Sequence, residues 1–412
     1  KLYLNLLDEG NSSAAVVVGL ERLASQGVRQ GDISRALAPV YAQAGDYQRQ
    51  VASLLVQLSS VQDRDEQKNL LTLLAETTEK RLIDERAAFD LRLRGLALDP
   101  SDTAFRAEAL RLGHALKAEQ ELSRTFTELA VKSEDPALTV SLLLEAADLA
   151  EEVGAIDEAA TALKRGLEKS ADQPDLLLRL SELYLLAKRW ADCEQVLRRR
   201  LVLATAADEK IALGLQLTQV NTELDRPREA ASALAEAIKA GAPEAEHLAK
   251  LGQLLEQGGQ LRELTEVQTR LIAIYEQAGE GDKAAALSMQ RAKLLETALG
   301  DKAEAIRRYG EVLAQKPSDA DALAALENLL TDPTHREAAA RALLPAYDAA
   351  KDHRKQVGVL AVIAECAKDS LERLTALKRA AELHTVHLRQ PEQAFASLAT
   401  AMRLAPEAAE IR

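Results

Sequence analysis

Aromatic side chains are scarce in this 412-residue sequence: 3%, against 47% for hydrophobic residues as a whole. The apolar content is mainly alanine and leucine, both good helix formers, whereas a single large core would draw on more aromatic volume. Cysteine is nearly absent. Cys193 and Cys366 stand far apart, and both are read as free thiols, which favours a reducing compartment. Apolar runs are short. The longest, residues 357–364, falls well below the roughly 20 residues needed to span a bilayer. β-branched alternation is almost missing, so no strands are expected. Positive charge is in deficit too. A net charge of -13 and a pI near 5.2 argue against general nucleic-acid binding, which needs an electropositive face.

What the chain does contain is a copy of itself. Shifted by 306 residues without a gap, its first hundred positions fall on its last hundred. Ala36-Leu37 and Pro39-x-Tyr41 meet Ala342-Leu343 and Pro345-x-Tyr347, and Gln50-Val51-x-x-Leu54 meets Gln356-Val357-x-x-Leu360. Ala75-Glu76 meets Ala381-Glu382, Ala88-Phe89 meets Ala394-Phe395, and Pro100 meets Pro406. Cys366 meets Ser60, so a small residue suffices there. A repeating chain buries each unit's apolar face on its neighbours and yields a long surface.

Nearly every segment carries the apolar i, i+3, i+4, i+7 spacing of an amphipathic helix, as in Leu176, Leu177, Leu180, Tyr184 and Leu185. Short breakers recur, among them Gly45-Asp46, Asp99-Pro100, Gln173-Pro174, Ala242-Pro243, Gly258-Gly259, Lys316-Pro317, Asp332-Pro333 and Ala405-Pro406. About 22 or 23 helices fit between them, and the short loops make consecutive helices antiparallel. Pro100, Pro174, Pro243 and Pro317 stand 74, 69 and 74 residues apart. Each interval holds four helices, which sets a two-helix unit of about 35 residues. The 89 residues from Pro317 to Pro406 hold an additional helix near 335–349, matched by one near 32–44. Lys1-Leu2-Tyr3 aligns with the interior of a helix, and 406–412 with a helix start. The chain is therefore expected to be a fragment of a larger array.

These units resemble the tetratricopeptide repeat. That family's second helix carries Ala, a bulky residue four later, a small residue three after that, and Pro five further on. Ala394, Leu398, Ala401 and Pro406 fit fully; Ala305, Tyr309, Val312 and Pro317 fit with Val as the small residue. Ala230, Leu234, Ala237 and Pro243 fit with Pro one residue late. First-helix pairs are Leu112-Gly113 before Leu116 and Leu251-Gly252 before Leu255, with Leu180-Ser181 before Tyr184 a variant. The small residues let facing helices approach, and Pro stops the second helix. The resemblance implies an all-α, right-handed superhelical solenoid of antiparallel helix hairpins. Residues 1–412 are expected to form one continuous array, with 1–106 and 307–412 as internally homologous segments.

Little in the sequence points to chemistry. Of six histidines, only His384-x-x-His387 has a metal-like spacing. No Cys lies nearby, the matched positions are Thr78 and Arg81, and a solvated helix face is expected instead. No Gly-rich phosphate loop follows a strand, and Gly279-Glu280-Gly281-Asp282 reads as a turn between helices. No Gly-x-Ser-x-Gly elbow occurs. Glu151 and Glu152 are expected on a solvent face, and Glu194 to pair with Arg198 one turn on. Arg198-Arg199-Arg200 is the strongest basic run and suits a helix carboxyl end; a phosphate or acidic-partner site is its other reading. Trp190 and Tyr47, each just after a hairpin turn, read as packing residues.

The chain is thus read as a non-enzyme with no cofactor and no metal. In the resembling family, first helices line a groove that binds peptides or proteins. Carried over from each Leu-Gly pair, the groove-lining residues are His114, Lys117, Glu182, Gln253, Glu256 and Asn328. The set is mixed in charge, so the family's carboxylate clamp, which needs repeated Lys, Arg and Asn, is not expected. Three functions follow: a scaffold or adaptor for partner proteins or peptides, an array that self-associates through exposed ends, or a regulatory module for a small GTPase or kinase. Partners are expected to be proteins, without nucleic acid or membrane insertion, in the cytoplasm.

Overall fold

Helix follows helix throughout the computed structural model, which describes residues 2–8 and 13–404. The Ala405-Pro406 breaker, the last proline of the Ala394 motif and the helix start expected at 406–412 lie outside those residues, as does Lys1. Among the described residues there are twenty-three α-helices and no strand, as alanine-leucine periodicity without β-branched alternation dictates. The chain divides into two compact units, Lys1–Leu203 and Ala204–Arg412.

The first unit opens with α1 (Leu2–Asp8), α2 (Ala14–Ser25), α3 (Gln30–Ala44) and α4 (Tyr47–Ser60). It continues with α5 (Arg64–Arg81), α6 (Glu85–Leu98), α7 (Thr103–Leu116) and α8 (Glu119–Lys132). It closes with α9 (Pro136–Glu152), α10 (Ile156–Lys169), α11 (Pro174–Leu186) and α12 (Trp190–Leu203). The second unit holds α13 (Ala207–Glu223), α14 (Pro227–Lys239), α15 (Glu244–Gln257) and α16 (Leu261–Gln277). After them come α17 (Gly281–Thr297), α18 (Lys302–Gln315), α19 (Ala320–Leu329) and α20 (Arg336–Ala350). The remaining helices are α21 (His353–Cys366), α22 (Ser370–Val386) and α23 (Pro391–Leu404).

Within each unit every helix packs on the next in sequence, as α5 on α6 and α13 on α14. Each of the three proline intervals from Pro100 to Pro317 holds four helices, and the two additional helices are α3 and α20. The helices α3 to α6 begin at 30, 47, 64 and 85, and α20 to α23 begin 306 residues later in each case. Pro39 and Pro345 stand inside α3 and α20, both at exposed positions, where solvent can satisfy the carbonyl that loses its N–H partner.

The core of each unit is built from alanine and leucine around a few rings. Phe89, Phe126 and Tyr184 are fully buried in the first unit, and Tyr309 in the second. Small residues set the spacing between helices. A Cβ at Gly95 would come within 2.4 Å of the Phe105 ring, so any side chain there forces α6 and α7 apart. Helix starts are fixed by aspartate. Asp46, Asp63, Asp84, Asp102, Asp135, Asp301, Asp319, Asp352 and Asp369 each accept a backbone N–H of the helix they precede.

Candidate functional site

In the first unit, ion pairs link α5, α7, α9 and α11, each the first helix of its hairpin. Lys68 on α5 reaches Asp102 at 2.6 Å and Asp99 at 2.7 Å, at the start of α7. Arg111, near the end of α7, reaches back to Glu79 on α5 at 2.5 Å. Arg106 on α7 meets Glu145 on α9 at 3.0 Å, and His114 lies 3.6 Å from Glu152. Arg179 on α11 pairs with Asp148 at 2.6 Å and also with Glu151. Asp99 is held below the usual carboxylate range first by the Lys68 ammonium and then by Ser101. For Asp102, burial favours the neutral acid, but Lys68 and the N–H groups opening α7 outweigh it and lower its pKa. The same pairing raises Lys68.

Between α5 and α7 lies a cavity of about 460 Å³. The Lys68–Asp102 and Arg111–Glu79 pairs sit among its walls, and Arg92 of α6 lines it together with Phe105. Arg92 is 5% exposed, and its guanidinium stands 5.7 Å from the Phe105 ring centroid. Its Nε has no hydrogen-bond partner. Arg92 forms no hydrogen bond or ion pair with any described residue. Two further cavities are smaller. One of about 390 Å³ lies between α8 and α10 beside the Arg124–Glu158 pair. One of about 340 Å³ in the second unit is lined by Arg291 and Arg308. Burial, then the neighbouring Arg308, lowers the Arg291 pKa, while Arg308 itself pairs with Glu304 and Glu311.

The residues chosen from the sequence occupy other places. His114, on α7, is half-exposed between Glu119 and Glu152. Lys117 caps α7 in the left-handed region, with φ of 55°. Glu182 on α11, Gln253 and Glu256 on α15, and Asn328 on α19 are exposed. None of the six lines any of the three cavities. Lys68, Arg92 and Arg111 were not singled out. For Arg92 a signal existed: it interrupts the apolar stripe of Ala88, Phe89, Gly95 and Leu96 on α6.

Other expectations are sharpened or corrected. Glu194 pairs with Arg198 at 2.7 Å as expected. Arg199 reaches Asp172, and Arg200 donates to the Ser181 hydroxyl, so the basic run near the end of α12 is engaged within the unit. Glu152 is exposed as expected, whereas Glu151 is part-buried and engaged by Arg179, which reaches across from α11. His384 is buried, with Nδ1 3.0 Å from Gln390 Oε1, rather than solvated, and His387 stacks on His353 at 3.9 Å. Tyr47 packs under the Arg81 guanidinium. Among the described residues no three His, Cys, Asp or Glu side chains gather as a metal site, and no helix is long and apolar enough to cross a membrane.

Residues 150–216, from the end of α9 into α13, match the tetratricopeptide repeat family. No curated protein matches the chain. Among solved structures, a chain of the Naa15/Naa10 complex bound to HypK-THB is 13% identical, with 93% of this chain covered and a TM-score of 0.35. The match spans just under two thirds, 65%, of that chain. PilW, described as a widely conserved type IV pilus biogenesis factor, is 20% identical over 54% of this chain and 98% of its own, with a TM-score of 0.27. YrrB, described as a tetratricopeptide-repeat protein with an unusual peptide-binding site, is 18% identical over 49% of this chain and 90% of its own, with a TM-score of 0.24. The described residues form a tetratricopeptide-like array of helix hairpins.

Proposed function

We propose that the chain is a non-enzymatic scaffold that binds partner proteins or peptides. The observation that carries this reading is the cavity between α5 and α7, large enough for a side chain and walled by charged groups that ion pairs hold in place. Preorganised polar walls around an open cleft favour recognition, because little order is lost on binding. The cytoplasm is the proposed compartment, on the strength of two unpaired cysteines. Ala104 is exposed on the cavity wall, so Ala104→Trp fills the cleft without disturbing the core. Quantitative cross-linking pull-downs test the reading. Partners retained by the wild type and lost by the folded Ala104→Trp variant support it; an identical partner set for both proteins removes the groove from the account.

A specific observation favours self-association as the second reading. Phe395 is 75% exposed on α23, while Phe89, its counterpart 306 residues earlier, is fully buried. Met402, two turns on, is exposed as well, and an open apolar strip of this kind marks an interface. Light scattering across a concentration series decides it: growth in mass for the wild type but not for Phe395→Ser supports assembly, and a constant monomer removes it.

A further inference from the structure

We propose that Arg92 is the receptor for a carboxylate carried by the bound peptide, with the cavity between α5 and α7 as its pocket. This rests on the peptide-binding reading above and names the chemistry of the site. A guanidinium stays charged under all ordinary conditions, and a charge taken out of water without a partner is strongly unfavourable. Arg92 is nine-tenths buried and unpartnered among the described residues, yet it lines an open cavity. The other cations of the wall are engaged: Lys68 with Asp102, Arg111 with Glu79 and Glu108, and Lys80 with Glu76. Arg92 is therefore the one wall cation left for a ligand.

The geometry selects the ligand's form. Phe105 lies beside the guanidinium, whose planar fork matches a carboxylate with two parallel hydrogen bonds. Four carboxylates, on Glu76, Glu79, Asp102 and Glu108, share the wall with four cations. The wall therefore has no surplus charge to draw a polyanion, and the unmatched charge is a single, local one. Lys68–Asp102 and Arg111–Glu79 bridge α5 and α7 toward the two ends of the pair. A peptide therefore does not run along the cavity floor. It dips one group between the bridges, either an acidic side chain or its own C-terminus.

Three immobilised octapeptide pools distinguish these sources. The first carries one internal Glu and an amidated C-terminus. The second has no acidic side chain and a free C-terminal carboxylate. The third carries Gln in place of Glu and is amidated. Wild type, Arg92→Met and Arg92→Lys are compared on each. The wild type is expected to retain the first or the second pool at least tenfold over the third, and the pool retained identifies the source. Arg92→Met should fall to the level of the third pool; Arg92→Lys, with charge but no fork, should fall between. Because methionine removes an unpaired buried charge, ligand-free Arg92→Met should melt at or above the wild-type temperature, which separates lost binding from lost folding. Equal retention of all pools by wild type and Arg92→Met overturns the assignment and leaves peptide binding standing. Retention of none also overturns it, and the Ala104→Trp pull-down then judges the scaffold reading by itself.

Discussion

The Tyr347 hydroxyl donates to Glu327 Oε1 at 2.5 Å. The same bond occurs 306 residues earlier, from Tyr41 to Glu21 at 2.6 Å. A cation completes each set: Lys355 lies 2.7 Å from Glu327, and Arg49 lies 3.4 Å from Glu21. Each cation also stands over its tyrosine ring, at 5.3 Å and 6.0 Å. Burial first, and the glutamate second, raises the pKa of both hydroxyls, so each carboxylate keeps a protonated donor and a cation together.

Removing that donor has a measurable cost. A hydrogen bond to a charged acceptor contributes about 1.5–3 kcal/mol when buried, and these pairs are part-buried. Tyr347→Phe and Tyr41→Phe are each expected to lose about 1–2 kcal/mol, read by urea unfolding with hydrogen exchange assigned to each unit. A loss below a few tenths in both variants would show the bond to be decorative.

Acid should weaken the α5–α7 bridge in a defined direction. Asp99 and Asp102 have native pKa values below the ordinary one, so the unfolded chain takes up their protons first as pH falls. Their contribution is complete above about pH 4 and is lost as pH drops through the lower native values. Carbon-detected NMR of the two carboxyls should give midpoints below the ordinary aspartate value, and Lys68→Met should move both upward. Unchanged midpoints in that variant refute the pairing.

Burial pushes the Cys193 thiol up to about 11, while Cys366 is only half-buried. The thiolate is the reactive form, so iodoacetamide at pH 8 should label Cys366 first. Cys193 should react only at the rate at which α12 opens, and mass spectrometry of timed digests reads both. Equal labelling rates in the native protein would contradict the packing of α12.

Charge inserted at a hairpin interface should be disruptive. Ala305 is fully buried, so Ala305→Glu combines overpacking with an unpaired charge and is expected to cost several kcal/mol, on the order of 3 or more. Glu151→Ala is also expected to destabilise, by up to about 1 kcal/mol, because Arg179 loses one of its two acidic partners. Thermal melts of the two variants should differ severalfold; equal shifts would mean that the helix faces are misassigned.

The helices and their pairing were legible because apolar spacing and proline stops are local signals, and Pro100, Pro174, Pro243 and Pro317 count four helices at a time. The polar details were not. Nothing near Leu116 announces that α7 ends there; Lys117 turns the chain without the glycine that usually marks such a stop. Counting onward from Leu112-Gly113 therefore placed Lys117 on a helix face it does not occupy. Glu151 was misread for the opposite reason, since its partner Arg179 comes from two helices further on. Arg92 broke an apolar stripe in plain view, but only the neighbouring α7, through Phe105, shows that the break faces a cavity.

Lys117 is not alone in its conformation. Arg29, Ile83, Lys188, Asp225, Lys351 and Arg389 also hold positive φ, between 44° and 57°. Each carries a Cβ in a region that disfavours one by about 1–2 kcal/mol, and glycine would relieve it. The corners of this array are thus an untouched reserve of heat resistance, open to an engineer who leaves every groove as it is.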